Sequence, residues 1–326
     1  MTKTFPSIGE AGASPVTCCA LPLKNLHRRK GSFILEGKSD PLKAMSGQKR
    51  NSILCPNCRK LISVHEARCP YCGTSRPGAL WKRALDFRVM RGTDQLVQWI
   101  IFINVGMYIL SLVLRPSSIQ FTMSPFSMLA PSVESLILLG ATGTIPVLQM
   151  DRWWTLVSAS YLHGSVLHIL FNMLAFRQLA SVACEEYGAN RMFAIYTLGG
   201  VVGYLVSALV GVGLTIGASA AVCSLIGAIL YYGKSRGGIH GQTLYKQVGA
   251  WAVGIFLFGF LVPGINNWAH GGGILAGAAL GALLGYKEKV RENLFHKVLG
   301  VGCMVITAAV LAWALISGIL FRLLNA

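Results

Sequence analysis

Four polar side chains stand within long apolar stretches of this chain. Ser219 opens one apolar segment, His270 opens another, and His168 and Asn172 lie in a third. A polar group at membrane depth is costly and usually faces a cavity or the interior of a helix bundle. A serine hydroxyl beside an imidazole can act as a nucleophile with its general base. Ser219 alone would be read as a small residue that lets helices pack closely, but the combination favours a Ser219–His270 dyad.

His168 and Asn172 are four residues apart, so a helix places them on one face. Such a pair can direct N–H donors into a cavity, and a helix that starts near Ser219 adds backbone N–H groups and the positive end of its dipole. These donors could stabilise an oxyanion, and losing one such donor typically raises a reaction barrier by about 3–4 kcal/mol. None of the three segments contains Asp or Glu, so we expect a dyad without a third member.

A second set of reactive residues lies nearer the N-terminus. Cys55-Pro-Asn-Cys58 and Cys69-Pro-Tyr-Cys72 are two Cys-x-x-Cys turns separated by ten residues. Such turns aim four thiolates at one point, the closed tetrahedral arrangement that Zn²⁺ prefers in structural sites. A redox dithiol pair or an iron site would have the same spacing. A module of about 25 residues buries too little core to fold alone, so we predict a zinc ribbon held together by its metal.

Composition places most of the chain in a membrane. Apolar residues make up 53% of the 326 positions and charged residues only 13%, against about 25% charged in soluble domains. The net charge is +17, and 13 of the 29 Lys and Arg lie before Trp81. The positive charge therefore belongs to an N-terminal arm and to loops, and we expect no nucleic-acid partner. No signal peptide is visible.

Seven apolar segments have about the 20 residues that cross a bilayer core. They cover residues 97–114, 156–176, 191–212, 216–233, 248–264, 268–286 and 298–321. The connection over residues 115–155 is also rich in apolar residues, but four prolines interrupt it. We expect this connection to be a half-embedded interfacial loop.

Basic residues predict the orientation, because Lys and Arg concentrate on the cytoplasmic side. With a cytoplasmic N-terminus, the inner side holds Lys82, Arg83, Arg88, Arg91, Arg177, Arg191, Lys234, Arg236, Lys246, Lys287, Lys289, Arg291 and Lys297, and the outer side holds Arg115, Arg152 and Arg322. This orientation puts the predicted ribbon in a reducing compartment. It also puts Ser219, His270, His168 and Asn172 in the outer half of the membrane.

The sixth segment carries a seam of glycines. Gly273, Gly277, Gly281 and Gly285 recur every four residues, so one face of a helix there has no side chains. Such a seam lets a neighbouring helix approach very closely. The fourth segment offers small residues from Ala218 onward, and contact between the two would bring Ser219 to His270.

In order and spacing, several motifs resemble those of the rhomboid intramembrane serine proteases. They are Trp153-Trp154, Tyr161-Leu162-His163-Gly164-Ser165, His168-x-x-x-Asn172-Met173, Gly217-Ala218-Ser219 and Ala269-His270-x-x-Gly273. The resemblance implies an all-α, six-helix membrane bundle with a Ser219–His270 dyad, oxyanion help from His168 and Asn172, and cleavage of single-span membrane proteins near their outer ends. It implies no cofactor for catalysis. The seventh segment would be an additional C-terminal transmembrane helix.

Three positions depart from the family pattern. Ala220 stands where the family's Gly-x-Ser-Gly has its last glycine, which could crowd the oxyanion site. Arg152 is displaced from the usual Trp-Arg pair, since Thr155 follows Trp154. Cys223 replaces an aromatic residue that often stacks on the catalytic histidine. His163 is expected to be an interfacial residue or to lie behind the site, and His240 and His296 are expected to be solvated in inner loops.

These features divide the chain into five parts. They are a disordered basic segment (1–50), a zinc ribbon (51–76), a linker (77–95), a rhomboid protease domain (96–290) and an additional C-terminal transmembrane helix (291–326). Translation is hypothesised to begin at Met45. Expected partners are the lipid bilayer, single-span membrane substrates and a cytoplasmic partner of the ribbon. Two alternatives to the protease are an inactive rhomboid-like protein that binds transmembrane helices and a transporter, for which no inverted repeat is visible.

Overall fold

The structure is a computed structural model that describes residues 52–55, 58, 60–79, 93–115, 128–262 and 264–324. The predicted disordered segment, the proposed start at Met45 and most of the predicted linker lie outside the described residues. The described part of the chain is mostly helical, as predicted. It consists of a small β module followed by a bundle of helices.

The β module contains one antiparallel pair of short strands. Strand β1 (Ser52–Leu54) pairs with β2 (Leu61–Ser63), and Ile53 lies opposite Ile62. Its core consists of little more than Ile62 and two buried cysteines, Cys55 and Cys69. So few buried side chains cannot offset the entropy of ordering the chain, which agrees with a module that depends on a metal.

The bundle is built from seven long helices and two short ones among the described residues. They are α1 (Thr93–Val113), α2 (Val133–Leu138), α3 (Thr155–Ser158), α4 (Val166–Tyr187), α5 (Ala189–Leu209), α6 (Ser219–Arg236), α7 (Gly238–Leu261), α8 (Asn267–Leu284) and α9 (Leu294–Leu324). A π-helical turn (Ile145–Gln149) precedes α3, and a 3₁₀ turn (Ala159–Tyr161) follows it.

Five of the helices in the described part of the chain are long and apolar enough to cross a membrane: α1, α4, α5, α7 and α9. We predicted seven spans. The other two long helices, α6 and α8, have 18 residues each and carry polar groups near their ends, Lys234 and Arg236 in α6 and Asn267 and His270 in α8. The protein is therefore a polytopic all-α membrane protein, and the two long helices outside this set of five carry the predicted dyad.

Two helix boundaries differ from the prediction. Helix α4 begins at Val166 rather than near residue 156, because the Ser165 side chain caps it by accepting a hydrogen bond from the backbone N–H of His168 at 3.2 Å. The preceding residues form α3 and the 3₁₀ turn instead. Helix α7 begins at Gly238, ten residues before the predicted span, so the polar stretch after Gly237 is already helical.

The connection before α4 is folded into the protein. Leu139, Ala141 and Val147 are fully buried, and the backbones of Thr142 and Thr215 exchange two hydrogen bonds of 3.0 and 2.6 Å. We predicted a half-embedded interfacial loop on the basis of its apolar residues. In the described stretch, residues 128–155, many of these residues pack against the bundle instead.

Helix α6 is the centre of the bundle. It packs against α4, α5, α7 and α8, and most of its residues are buried. Helix α7 lies at the edge, since only Gly241 and Val248 are buried along it. Helix α9 packs on α5, where a Cβ atom on Gly300 would come within 2.8 Å of the Asn190 carbonyl oxygen.

Helices α6 and α8 touch backbone to backbone along the predicted glycine seam. A Cβ atom at Gly273 would overlap the carbonyl of Ala220, and one at Gly277 would overlap the carbonyl of Ser224. One turn further, a Cβ atom at Gly281 would lie 3.1 Å from Cα of Ala228. Both helices advance by four residues between contacts, so they run parallel. Small residues allow such an approach in membranes, where close packing drives helix association.

Arg191 was expected to be a charged residue of an inner loop, and this expectation is wrong. Arg191 lies in the first turn of α5 and is fully buried. Its guanidinium donates to the carbonyls of Leu284, Gly285 and Val290 at 3.3, 2.6 and 2.9 Å. Its Nε also donates to the Tyr187 carbonyl at 2.5 Å, whereas Nη2 has no partner among the described residues. Pairing of this kind makes a buried arginine tolerable, and here it caps the C-terminal end of α8. Arg191 therefore carries no information about orientation.

Candidate active site

Ser219 is the first residue of α6 and is half-buried. The chain enters the helix through Gly217, whose φ of 126° is accessible mainly to glycine. A Cβ atom there would also come within 2.7 Å of the His168 Nε2 atom. The Gly217 peptide is held on both sides, since its N–H donates to the Ala159 carbonyl at 2.9 Å and its carbonyl accepts from the Tyr204 hydroxyl. The backbone before the serine is thus fixed.

His270 lies in the first turn of α8 and is buried, with 4% of its surface exposed. Asn266 caps this helix through its side-chain oxygen, which accepts a hydrogen bond of 3.1 Å from the Ala269 N–H. The Nδ1 atom of His270 is buried and has no hydrogen-bond partner in the structure. An unpaired buried nitrogen is uncommon and marks a functional position in many proteins.

The contacts between α6 and α8 place Ser219 and His270 at nearly the same height. Gly273 lies against Ala220, His270 is three residues before Gly273, and Ser219 is one residue before Ala220. With a rise of 1.5 Å per residue, the two side chains start within about 3 Å of the same level along parallel helices. Within the described part of the chain, Ser219 and His270 form no hydrogen bond with each other. Catalytic hydrogen bonds are often long before substrate binds.

His168 is oriented by its surroundings. Its Nδ1 atom accepts a hydrogen bond of 3.2 Å from the Gly164 N–H, so the neutral ring carries its proton on Nε2. The Nε2 atom and the Ser219 hydroxyl flank the same point beside Gly217. The ring therefore presents an N–H donor on the side of the serine.

Asn172 lies one turn below His168 and is buried. One of its amide N–H groups donates to the His168 carbonyl at 2.9 Å. An amide has two N–H donors, and the second is left for a ligand. The four residues predicted from the sequence thus sit at the N-terminal ends of α4, α6 and α8.

Comparison with known proteins identifies the domain. Residues 150–287 match the family model described as the rhomboid domain. The chain contains a rhomboid domain. It is 30% identical over 154 residues to rhomboid protease GluP of Bacillus subtilis (strain 168), covering 47% of this chain and 30% of that protein. It is 35% identical over 167 residues to RHOMBOID-like protein 5 of Arabidopsis thaliana, covering 48% of this chain and 52% of that protein.

A longer alignment links the chain to rhomboid-like protease 3 of Toxoplasma gondii. The two are 29% identical over 227 residues, which covers 67% of this chain and 80% of that protein. The chain spans only about a third to a half of the GluP and Arabidopsis proteins. The matched region contains all four predicted site residues.

Two residues that were not predicted from the sequence form hydrogen bonds to the segments that carry the site residues. Tyr204 on α5 is buried and donates its hydroxyl to the Gly217 carbonyl. Asn266 joins the start of α8 to neighbouring segments. A single tyrosine or asparagine in an apolar segment does not show which backbone group it will reach. Only the order of the helices in space reveals these contacts.

Of three further histidines with a predicted environment, His163 and His240 agree with the prediction and His296 does not. His163 is fully buried, and its ring packs edge-on against His168 with the centroids 5.1 Å apart. His163 therefore lies directly behind a predicted site residue. His240 is more than half exposed and contacts Glu186 at 3.0 Å, as expected of a solvated residue. His296 was expected to be solvated, and it is buried in the first turn of α9.

The rhomboid domain accommodates its three departures from the family pattern. Ala220 is fully buried and faces Gly203 of α5, which has no side chain to displace. Cys223 is buried and lies against Gly273 of α8. Arg152 stacks over the Trp154 ring, with its guanidinium carbon 4.8 Å from the ring centroid. Arg152 thus still contacts a tryptophan of this motif despite its displacement.

Outside the rhomboid domain, the structure brings four cysteine sulfurs together. The Sγ atoms of Cys55, Cys58, Cys69 and Cys72 all lie within 4.8 Å of one another. Two of the separations are 3.7 Å (Cys55–Cys72) and 3.6 Å (Cys58–Cys69). A tetrahedral ion with bonds of 2.3 Å to sulfur requires sulfurs about 3.8 Å apart. The four cysteines therefore fit a closed metal site with no open coordination position.

The surroundings of Cys72 lower the pKa of its thiol. Burial disfavours its ionised form, but hydrogen bonds with Thr74, Cys58 and Cys69 outweigh this effect and lower the pKa of Cys72 to about 6. The Thr74 hydroxyl lies 3.1 Å from the sulfur. Thiolates rather than thiols bind metal ions, and these hydrogen bonds favour the thiolate of Cys72.

Proposed function

We propose that this protein is an intramembrane serine endopeptidase that cleaves transmembrane segments of membrane proteins with a Ser219–His270 dyad. The observation that carries the proposal is the contact between α6 and α8. The glycine seam sets two parallel helices backbone to backbone in a register that brings Ser219 and His270 to the same level. The rhomboid domain and the printed name of the GluP relative, a rhomboid protease, support the same reaction.

The chemistry follows from the residues. His270 takes the proton of the Ser219 hydroxyl as the oxygen attacks the scissile carbonyl carbon, and it then gives that proton to the leaving amine. This step breaks the peptide bond and leaves an acyl ester on Ser219. A water molecule, deprotonated by His270, then hydrolyses the ester and restores the serine. The site lies among buried side chains, so electrostatic stabilisation there is stronger than in water.

The developing oxyanion would be stabilised by His168 and Asn172. The Nε2–H of His168 faces the serine because its Nδ1 is occupied by the Gly164 N–H. The free N–H of Asn172 and the backbone N–H groups at the start of α6 add further donors. Two helices, α4 and α6, would thus contribute donors to one negative charge.

The four cysteines would hold a structural Zn²⁺ ion, which would stabilise the fold of the β module. Since the four sulfurs leave no open position, this ion would take no part in peptide cleavage. We place the N-terminus and this module in the cytoplasm on the basis of the remaining basic residues. The module would there meet a cytoplasmic partner, and the substrates would be single-span membrane proteins cut near their outer ends.

Two observations favour the alternative of an inactive rhomboid-like protein that binds transmembrane helices. Among the described residues, Ser219 and His270 are not hydrogen-bonded, and Cys223 offers His270 no aromatic support. An active site needs that hydrogen bond to form when substrate arrives. A binding protein would not need it.

The test is cleavage in a lipid bilayer. The full chain is reconstituted with a single-span reporter whose transmembrane segment contains helix-destabilising residues, and the product ends are located by mass spectrometry. We expect wild type to cut near one membrane surface, and Ser219→Ala and His270→Ala to abolish cutting. Wild type that binds the reporter without cutting it would overturn the protease and support the helix-binding alternative.

A further inference from the structure

Asn266 contacts three separate segments around the candidate active site. Its side-chain oxygen caps α8 by accepting from the Ala269 N–H at 3.1 Å. Its amide nitrogen donates to the Ser207 hydroxyl of α5 at 2.5 Å and to the Thr215 hydroxyl at 3.2 Å. Thr215 belongs to the loop that leads into Ser219. One side chain therefore joins the start of the His270 helix to the loop before the serine.

Thr215 is itself a fixed point. Its backbone exchanges two hydrogen bonds with Thr142, at 2.6 and 3.0 Å. Two residues later, the Gly217 peptide is held by the Ala159 carbonyl and the Tyr204 hydroxyl. The loop before Ser219 is thus anchored to the neighbouring connection and to α5. A hydrogen bond to this anchored loop therefore fixes the position of the start of α8.

The first turn of α8, which carries His270, lies outside the glycine seam. The glycine seam joins α8 to α6 from Gly273 onward, but His270 lies almost one turn before the first seam contact. First turns of helices lack backbone hydrogen bonds on their N–H groups and fray most readily. The Nδ1 atom of His270 has no partner in the structure, so its own hydrogen bonds do not hold the ring. This turn packs on α5, since a Cβ atom at Gly203 would come within 2.6 Å of the Ala269 carbonyl oxygen. The amide of Asn266 adds a direct link from this turn to the loop before Ser219.

We propose that Asn266, through Thr215 and Ser207, is a positioning residue that sets the separation of the Ser219 hydroxyl and the His270 imidazole. This inference rests on the proposed protease function. Asn266 touches neither reacting atom and takes no proton. It acts because His270 is four residues after Asn266 and Ser219 is four residues after Thr215, so a shift at the bridge moves both groups.

The test separates the bridge from the helix cap. Asn266→Ser retains a capping oxygen, but the shorter side chain cannot reach Ser207 and Thr215 as well. Thr215→Val removes one hydroxyl and keeps the branched shape, and Thr215→Ser restores the hydroxyl as the matched variant. We expect Asn266→Ser and Thr215→Val to lower kcat by roughly ten- to a hundredfold, as a displacement near 1 Å would. KM and the unfolding temperature should stay close to wild type.

Thr215→Ser should retain most of the wild-type kcat. The double variant Asn266→Ser/Thr215→Val should be no slower than the slower single variant, because both remove the same interaction. Unchanged kcat in the two single variants would overturn the inference. Losses that multiply in the double variant, or that follow the unfolding temperature across the series, would overturn it too.

A second measurement does not depend on catalysis. Cysteines are introduced as Ser219→Cys and His270→Cys in a Cys223→Ala background, and the rate of disulfide formation reports how often the two positions meet. We expect Thr215→Val to slow this rate and Thr215→Ser to leave it close to its starting value. If wild type cuts no reporter but this pattern holds, the proposed function fails and the positioning role of Asn266 stands. Equal crosslinking rates in all backgrounds would refute the role of Asn266.

Discussion

The two ends of the α6–α8 pair differ in how their polar groups are satisfied. At the C-terminal ends, Arg191 donates to three carbonyls around the end of α8, and Tyr187 donates its hydroxyl to the Ala228 carbonyl of α6 at 2.7 Å. At the N-terminal ends, buried ring nitrogens of His163 and His270 have no partner. In the described part of the chain, Arg191 Nη2 and the Tyr232 hydroxyl also lack a partner at the C-terminal ends. The difference is that the unpaired nitrogens at the N-terminal ends belong to His270 of the predicted dyad and to His163 beside His168.

This difference separates stability from reactivity. A buried guanidinium that donates to several carbonyls holds the elements around it together, whereas an unpaired buried donor or acceptor costs free energy unless a ligand completes it. The C-terminal ends can therefore hold the register of the two helices. The N-terminal ends can then present Ser219 and His270 with atoms still available for substrate. Changes at the two ends should accordingly have different consequences.

The largest loss of stability is expected at the C-terminal ends. Arg191→Met leaves three carbonyls without their donor and should lower the free energy of unfolding by about 3–5 kcal/mol. Arg177→Met is the matched control, because Arg177 is exposed on α4 and should change stability little. Unfolding in mixed micelles measures both. If Arg191→Met lowered the free energy of unfolding no more than Arg177→Met, the stabilising role of the C-terminal ends would be contradicted.

At the N-terminal ends, we expect substitutions to lower the rate of cleavage rather than the stability. His168→Ala removes the Nε2–H donor and should lower kcat on the reporter by about 10²- to 10³-fold, or about 2.7–4 kcal/mol in barrier. Its unfolding should change far less than that of Arg191→Met. His240→Ala, at an exposed histidine away from the predicted site, should cut at the wild-type rate. A normal kcat in His168→Ala would exclude this residue from the oxyanion role.

The seam between the two ends can be tested with a single methyl group. Gly277→Ala places a Cβ atom against the Ser224 carbonyl, and overpacking of this kind costs about 1–3 kcal/mol. Gly106→Ala adds the same methyl group to α1, where nothing lies within 4 Å. It should stabilise the helix, since Ala is favoured over Gly by about 1 kcal/mol. Changes of the same sign in the two variants would contradict the backbone contact.

The smallest effect on cleavage is expected from the β module. The β module contacts the segment after the C-terminal end of α8, where Arg291 donates to the Cys58 carbonyl at 3.0 Å. The predicted dyad lies at the opposite, N-terminal ends of α6 and α8. We expect about one equivalent of zinc per chain, and its removal by a chelator should expose the four thiols to alkylation while kcat changes less than about twofold. Less than half an equivalent of bound metal would argue against the site.

Several features of the fold could be predicted because they depend on local patterns. The four-residue spacing of Gly273, Gly277 and Gly281 predicted a close helix contact, and the structure places α6 against that face. The two Cys-x-x-Cys turns predicted four converging sulfurs, which the structure also shows. The glycine pattern repeats with the period of its helix and each cysteine pair spans one tight turn, so short stretches of sequence specify both arrangements.

Other features could not be predicted, because they depend on which helices become neighbours. Arg191 resembles a loop charge until the end of α8 is placed around it. Asn266 resembles an ordinary helix cap until Ser207 and Thr215 are brought beside it. The early start of α7 at Gly238 was missed because its first turns are polar and its face is largely exposed. The misses at Arg191 and Asn266 each concern a polar residue whose partner is distant in sequence.

The central claim is that His270 activates the hydroxyl of Ser219. The most direct measurement is covalent labelling of the intact, reconstituted protein with a fluorophosphonate, which reacts with activated serines, followed by peptide mapping. We expect one adduct, on Ser219, in the wild-type protein, and no adduct in His270→Ala or after denaturation. A wild-type protein that carries no adduct on Ser219, or equal labelling of Ser219 in His270→Ala, would contradict the account.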